Sequence, residues 1–275
     1  MQREALQLGT AWFERAAAQS RARLVFDFDD AIWLQNVSDA NRRLAWLKRP
    51  DKTAELISMS DLVIAGNAHL ADYASQFSDA VEVVPTTIDT DAYVRESQIP
   101  NGDAICIGWS GSMTTIQHFD LMIPVLRRLR EQYGDSVRFK VIGDGRYRHD
   151  ELGIRGQDWS AETEVRDLSD IDIGVMPLPD DEWARGKCGL KGLQYMALGI
   201  PTVMSPVGVN TEIIDDGVNG FLAGDEDEWL TKLTRLIESA ELRGNLGREG
   251  HETVEQRYSV RSQQERYLSL LTGAA

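Results

Sequence analysis

Cysteine is nearly absent: Cys106 and Cys188 are the two in 275 residues. They form no CxxC pair and no histidine cluster accompanies them, which removes the metal-site and disulfide-scaffold classes and fits a reducing compartment. No run approaches the roughly 18 apolar residues that span a bilayer. The N-terminus lacks the basic-then-apolar pattern of a secretory leader. The expected location is cytoplasmic, with a peripheral membrane association left open. Positive charge is also scarce, 29 Lys and Arg against 44 Asp and Glu, a net charge of −15. Such a surface repels nucleic acid as a whole, so any phosphate-bearing ligand has to be met by a local basic site. GxSxG, HExxH and Walker-type lysine motifs are missing, and with them the signatures of serine hydrolases, zincins and P-loop enzymes. No metal and no cofactor are expected.

What is present points to a folded α/β protein. Hydrophobic residues make up 42% of the chain and seven are Trp, too many for disorder, and the length fits two modest domains. Short apolar runs at 23–28, 62–65 and 81–84 alternate with helical spacing at 2–19, 38–60 and 68–77. A polar stretch with Pro100-Asn101-Gly102 follows. A fresh series then begins: strands at 104–109, 137–142, 152–155, 171–176, 201–204 and 220–223, with helices at 115–133, 161–168, 190–198, 227–239 and 241–257. Strand–helix–strand at this rhythm implies parallel sheets. The expected domains are 1–98, 99–258 and a C-terminal helix, 259–275, that packs back on the first.

The second series is built around Ile171 to Asn210. A buried strand ends at Pro177 and Pro179, an acidic loop follows, and the turn Gly186-Lys187-Cys188-Gly189 opens a helix at Leu190. The helix N-terminus offers unpaired N–H groups and a positive dipole end. Lys187 and Lys191 flank it, where a dipole disfavours cations, so an anion is expected there; a solvated first turn would carry the same lysines. Gly108 to Ser112 forms a second glycine turn after a strand, with Ser110, Ser112 and Thr114 as hydroxyl donors. In a doubly wound sheet both turns lie at the carboxyl ends of strands, where ligands bind, and a diphosphate between them is the expectation. Gly143 and Trp159 end further strands on that edge, so a base could abut Gly143 or stack on Trp159; Trp159 could equally be a packing residue. Gln194, one turn beyond Lys191, could bond a ribose hydroxyl or simply sit on an exposed helix face. Asp27, Asp29 and Asp30 crowd one strand end, where mutual repulsion can raise a pKa and make a base; a metal site, though without further ligands in view, and a solvated loop with one Asp as helix cap are the alternatives.

Residues Gly186 to Ala223, GKCGLKGLQYMALGIPTVMSPVGVNTEIIDDGVNGFLA, closely resemble the donor-binding half of GT-B glycosyltransferases, in particular the retaining group 1 set (family four) that uses nucleotide-activated sugars. VVPTTIDTDAY resembles the segment by which those enzymes leave the N-terminal domain, and DFDDAIW resembles a strand end within it. The resemblance covers about residues 23–260 and implies a GT-B type fold, two Rossmann-like parallel-sheet domains, the first incomplete. It implies Gly111 and Ser112 on one side of a donor diphosphate, with Gly189, Leu190 and Lys187 or Lys191 on the other. The family's paired glutamates fall on Gly186 and Gln194, and its usual Arg and Lys find no match in GWSGSMTT. Its N-domain histidine and aspartate fall on Asp29 and Asp30. The implied function is a metal-independent glycosyltransferase acting on a nucleotide-diphosphate sugar and an unidentified acceptor, with Asp29, Asp30, Lys187 and Lys191 as catalytic candidates. Its shortened front half raises two further expectations: a homodimer that completes the first sheet, and, as an alternative function, a nucleotide-sugar-binding subunit without chemistry. An epimerase or phosphorylase on the same fold is a third.

Overall fold

The computed structural model describes residues 11–34, 51–95 and 104–273. The start of the helix expected at 2–19, most of the first helix expected within 38–60 and the expected boundary at 98–99 lie outside them. Chain contacts divide the protein into two units. One comprises Met1–Thr86, Asp180–Cys188 and Gln264–Ala275, the other Thr87–Pro179 and Gly189–Gln263. The division falls before the Pro-Asn-Gly breaker because residues 87–95 are built into the second unit. The Ile88 amide donates to the Tyr258 carbonyl at 2.8 Å, and Arg95 Nη2 donates to the Ile171 carbonyl at 2.9 Å.

In the first unit β1 (Val25–Phe28), β2 (Leu62–Ala65) and β3 (Val81–Val83) form a parallel sheet in the order β1-β2-β3. β2 is apolar and buried throughout, the mark of a parallel strand covered on both faces. One face packs Phe26, Phe28 and Val63 against Leu56, Ile57 and Leu70 from the helices Asp51–Met59 and Ala68–Ala74. The other sets Leu62, Ile64 and Val84 against Tyr267 and Leu270 from the helix Val260–Thr272.

The second unit contains β4 (Ile105–Ser110), β5 (Val137–Ile142), β6 (Arg148–His149), β7 (Ile154–Gln157), β8 (Ile173–Met176), β9 (Thr202–Met204) and β10 (Phe221–Leu222) in the order β10-β9-β8-β4-β5-β7-β6. All pairs are parallel except β6 with β7. From β4 the chain moves outward through β5 and β7, then returns to β8 and moves out the other way. The reversal between β4 and β8 is a topological switch point, with its crevice beyond their carboxyl ends.

Two expected details are corrected. The helix over 115–133 is two, Ile116–Asp120 and Ile123–Tyr133, the second with Pro124 in its first turn, where the missing N–H costs no bond. The acidic loop 180–186 contains a short helix, Glu182–Arg185, capped by Asp181. His251 Nδ1 lies 2.7 Å from the Ala197 carbonyl, at the last turn of the helix Leu190–Ala197. Among the described residues no helix is long and apolar enough to cross a membrane.

Candidate functional site

Gly111, just past β4, turns the chain where a side chain has no room. A Cβ there would overlap the buried Trp109 ring. Gly143, past β5, has φ of 138°, and a Cβ on it would overlap the Gly111 carbonyl. Two strand ends thus meet backbone to backbone, and the Gly111 amide donates to the Ile142 carbonyl at 2.9 Å. Ser112 is exposed; its amide donates to Thr115 Oγ1 at 3.0 Å and its hydroxyl lies 2.9 Å from that of Thr114. The turn is held by its own hydroxyls, leaving a compact polar lip beside the switch point.

The helix Leu190–Ala197 faces that lip from β8's side. Gly189 is its N-cap with φ of 73°, no side chain caps it, and its first turn holds no acid. Its first amides therefore keep the dipole's positive end available to an anion. Tyr195 fixes the helix to the lip: the Ser110 amide donates to its hydroxyl oxygen at 2.7 Å. Its ring fills the place of a Cβ on Gly174, and complete burial pushes its phenol well above the usual range. Lys191 Nζ lies 5.7 Å from the centre of the Trp109 ring, the indole that floors Gly111. The ammonium, the uncapped helix and the glycine lip share one end of the second unit.

A polar knot in the second unit ties residues remote in sequence. Glu164, in the helix Glu164–Ser169, accepts from Trp159 Nε1 at 2.6 Å, from Gln194 Nε2 at 3.1 Å and from the Tyr93 hydroxyl. Gln194 also donates to the Tyr93 oxygen at 2.7 Å. Gln194 is buried rather than on an exposed helix face, while Trp159 remains 49% exposed with its N–H engaged. Burial, joined by the Glu164 carboxylate, raises the Tyr93 pKa. Sequence reading found Trp159 and Gln194 but not Tyr93 and Glu164. Separations of 71 residues between Tyr93 and Glu164 and 30 between Glu164 and Gln194 leave no local pattern to find.

Asp29, Asp30 and Lys187 belong to the first unit. Lys187 Nζ is 2.7 Å from Asp30 Oδ1, both side chains about one-fifth exposed, and lies 4.7 Å from the centre of the Trp183 ring. Asn67 caps the helix Ala68–Ala74 through Oδ1 and donates from Nδ2 to the Lys187 carbonyl at 3.0 Å. The Cys188 thiol donates to the Asp29 carbonyl at 3.2 Å, and burial pushes its pKa up to about 12, which keeps it a thiol. Asp27 carries a raised pKa. Burial is the main cause, opposed by a hydrogen bond from the Tyr267 hydroxyl at 3.0 Å.

Residues 104–239 match the family model described as glycosyl transferases group 1. That stretch is a group 1 glycosyltransferase domain. It begins at β4 and carries the glycine lip, the helix Leu190–Ala197 and, of the Glu164 knot, Trp159, Glu164 and Gln194 but not Tyr93. The fold around it is of GT-B type. HepE of Anabaena, solved with UDP and glucose, superposes with a TM-score of 0.71 at 17% identity, over 94% of this chain and 74% of HepE. Sucrose-phosphate synthase of Thermosynechococcus elongatus gives 0.72 at 12% identity, over 96% of this chain and 71% of that one. TarM gives 0.71 at 17% identity over 93% of this chain, which spans only 52% of TarM. No curated protein sequence matches the chain. The family match covers residues 104–239, and the likeness to these structures is one of fold.

Proposed function

We propose that the protein is a retaining glycosyltransferase that transfers a sugar, of hexosyl type, from a nucleotide-diphosphate sugar to an acceptor without a metal ion. The observation that carries this reading is the uncapped N-terminus of the helix Leu190–Ala197, fastened through Tyr195 to the β4 turn and flanked by Lys191. Transfer leaves a nucleoside diphosphate with growing negative charge. The amides at Leu190 and Lys191, the Lys191 ammonium and the Ser112 hydroxyl form a preorganised field for that charge, and Gly111, without a side chain, lets the diphosphate come close to the backbone of the turn. Lys191 is assigned to this role because it stands in the first turn of that helix, in the same unit as the β4 turn, whereas Lys187 belongs to the first unit and pairs with Asp30. Gly143, Trp159 and Gln194 are assigned to the nucleoside, Trp159 through its exposed ring face. Asp29 and Asp30 are assigned to the sugar or acceptor, Asp30 acting as a pair with Lys187. Two free cysteines suit a cytoplasmic location. HepE, whose structures hold UDP with glucose and UDP-glucose, supports a nucleotide sugar as donor.

The test is the thermal shift of the purified protein with UDP, GDP, ADP and their sugars, with and without a chelator, followed by an acceptor screen. One diphosphate series should raise Tm irrespective of chelation, since a ligand at about 100 times its Kd adds about 2.7 kcal/mol. Lys191→Ala should weaken that ligand about tenfold or more with little change in the Tm of the unliganded protein. Equal losses of binding and stability would remove Lys191 from the site. Donor binding with neither transfer nor donor hydrolysis would favour a non-catalytic subunit.

A further inference from the structure

The β4 turn, Gly108 to Thr115, contains no cation of its own, and the whole chain carries a net charge of −15. A diphosphate held there by Lys191 alone would have one flank without positive charge. We propose that Arg146, from the turn after β5, supplies that charge and is a diphosphate-binding residue of this protein. The assignment rests on the donor reading above.

The turn after β5 joins the β4 turn at two points. Gly143 packs its backbone on the Gly111 carbonyl, and the Arg146 guanidinium touches the Met113 thioether. Arg146 therefore lies across the side of the lip, on the β5 flank, whereas Lys191 approaches from the helix after β8. Asp144 sets its position. One carboxylate oxygen accepts from the Arg146 amide at 2.9 Å and from Nε at 3.0 Å, the other from Nη2 at 3.2 Å. These bonds hold the Asp144 carboxyl below the usual range. They occupy one edge of a guanidinium that has five N–H donors. The side chain is 76% exposed, so its remaining donors are open to solvent.

With the Arg146 side chain 76% exposed, solvent screens its pairing with Asp144, and a phosphate can take the free edge of the guanidinium while Asp144 keeps the other. The planar fork matches two phosphate oxygens at once, which a lysine cannot do. Asp144 acts as a positioning residue that keeps the arginine beside the lip before a ligand arrives. The residue escaped the sequence reading because its place depends on the meeting of Gly111 and Gly143, strand ends that are remote in sequence but adjacent in the sheet.

The test is titration calorimetry of wild type, Arg146→Ala and Arg146→Lys with UDP, GDP and ADP, and with the matching monophosphates. Arg146→Ala should bind the preferred diphosphate about tenfold or more weakly and the monophosphate nearly as wild type does, with Tm unchanged. Arg146→Lys should recover part of the loss. A wild type that binds a diphosphate, with Arg146→Ala binding it equally well, overturns this assignment and leaves the donor reading standing. So does a loss shared equally by mono- and diphosphates. A wild type that binds none of the three diphosphates overturns both.

Discussion

Asp27 shows how burial and a neighbour compete over one carboxyl. It sits in β1 with Tyr267 donating to it, yet desolvation outweighs that bond and the Asp29 charge adds to the rise above the ordinary value of 3.8. A carboxyl whose pKa is higher in the folded than in the unfolded state is favoured by folding in its protonated form. Its ionised form therefore costs stability above the folded-state value, and the cost disappears as pH falls below 3.8. Asp27→Asn keeps an acceptor for Tyr267 and removes the charge. Its Tm should exceed that of wild type at pH 7, and the gap should close as pH falls toward 4, read by scanning calorimetry across that range. A gap that widens toward acid would show that the Tyr267 bond to the ionised form dominates. The Lys187–Asp30 pair illustrates a different limit: the lysine was legible as a cation beside a glycine turn, but its carboxylate partner is 157 residues away and shares no local pattern with it.

At the scale of elements, the helix Leu190–Ala197 depends on one residue. Gly189 takes a left-handed conformation, and a Cβ on it would overlap the Ile213 side chain. Gly189→Ala should lose about 1–2 kcal/mol from backbone conformation alone, with more from the clash. Because the helix start would move, affinity for the donor diphosphate should fall with Tm, and the paired loss separates it from Lys191→Ala. The check is thermal scanning beside calorimetric titration; an unchanged affinity in the destabilised variant would detach the helix start from the ligand. This element was readable because Gly189, the apolar spacing and Gly199 mark its ends locally. The four-residue helix Glu182–Arg185 and the two-residue β6 are too short to show a period.

For the whole molecule, the decisive feature is that the chain returns twice to its first unit, at Asp180–Cys188 and at Gln264–Ala275. A chain ending at Gln263 would uncover Leu62, Ile64 and Val84, now packed against Tyr267 and Leu270. It should lose about 3 kcal/mol or more from the first unit. Its affinity for the donor diphosphate should stay within about twofold of the full chain, since Gly111, Lys191 and their supports lie in the second unit. Calorimetric scanning shows the first effect and titration the second; a donor affinity lost with the helix would place part of the site in the first unit.

The sequence by itself determined the parallel α/β class, the positions of most strands and the glycine turns at Gly111 and Gly189. Those properties follow from local periodicity and from backbone conformations that few residues adopt. The resemblance carried by Gly186 to Ala223 added the GT-B type. Only the tertiary structure decided where the units divide and that Lys187 is paired with Asp30. It alone gathered Tyr93, Glu164, Trp159 and Gln194 into one knot and laid Arg146 beside Met113. Each of these is a contact between segments far apart in sequence, fixed by the order of strands in a sheet, which no local pattern of side chains encodes.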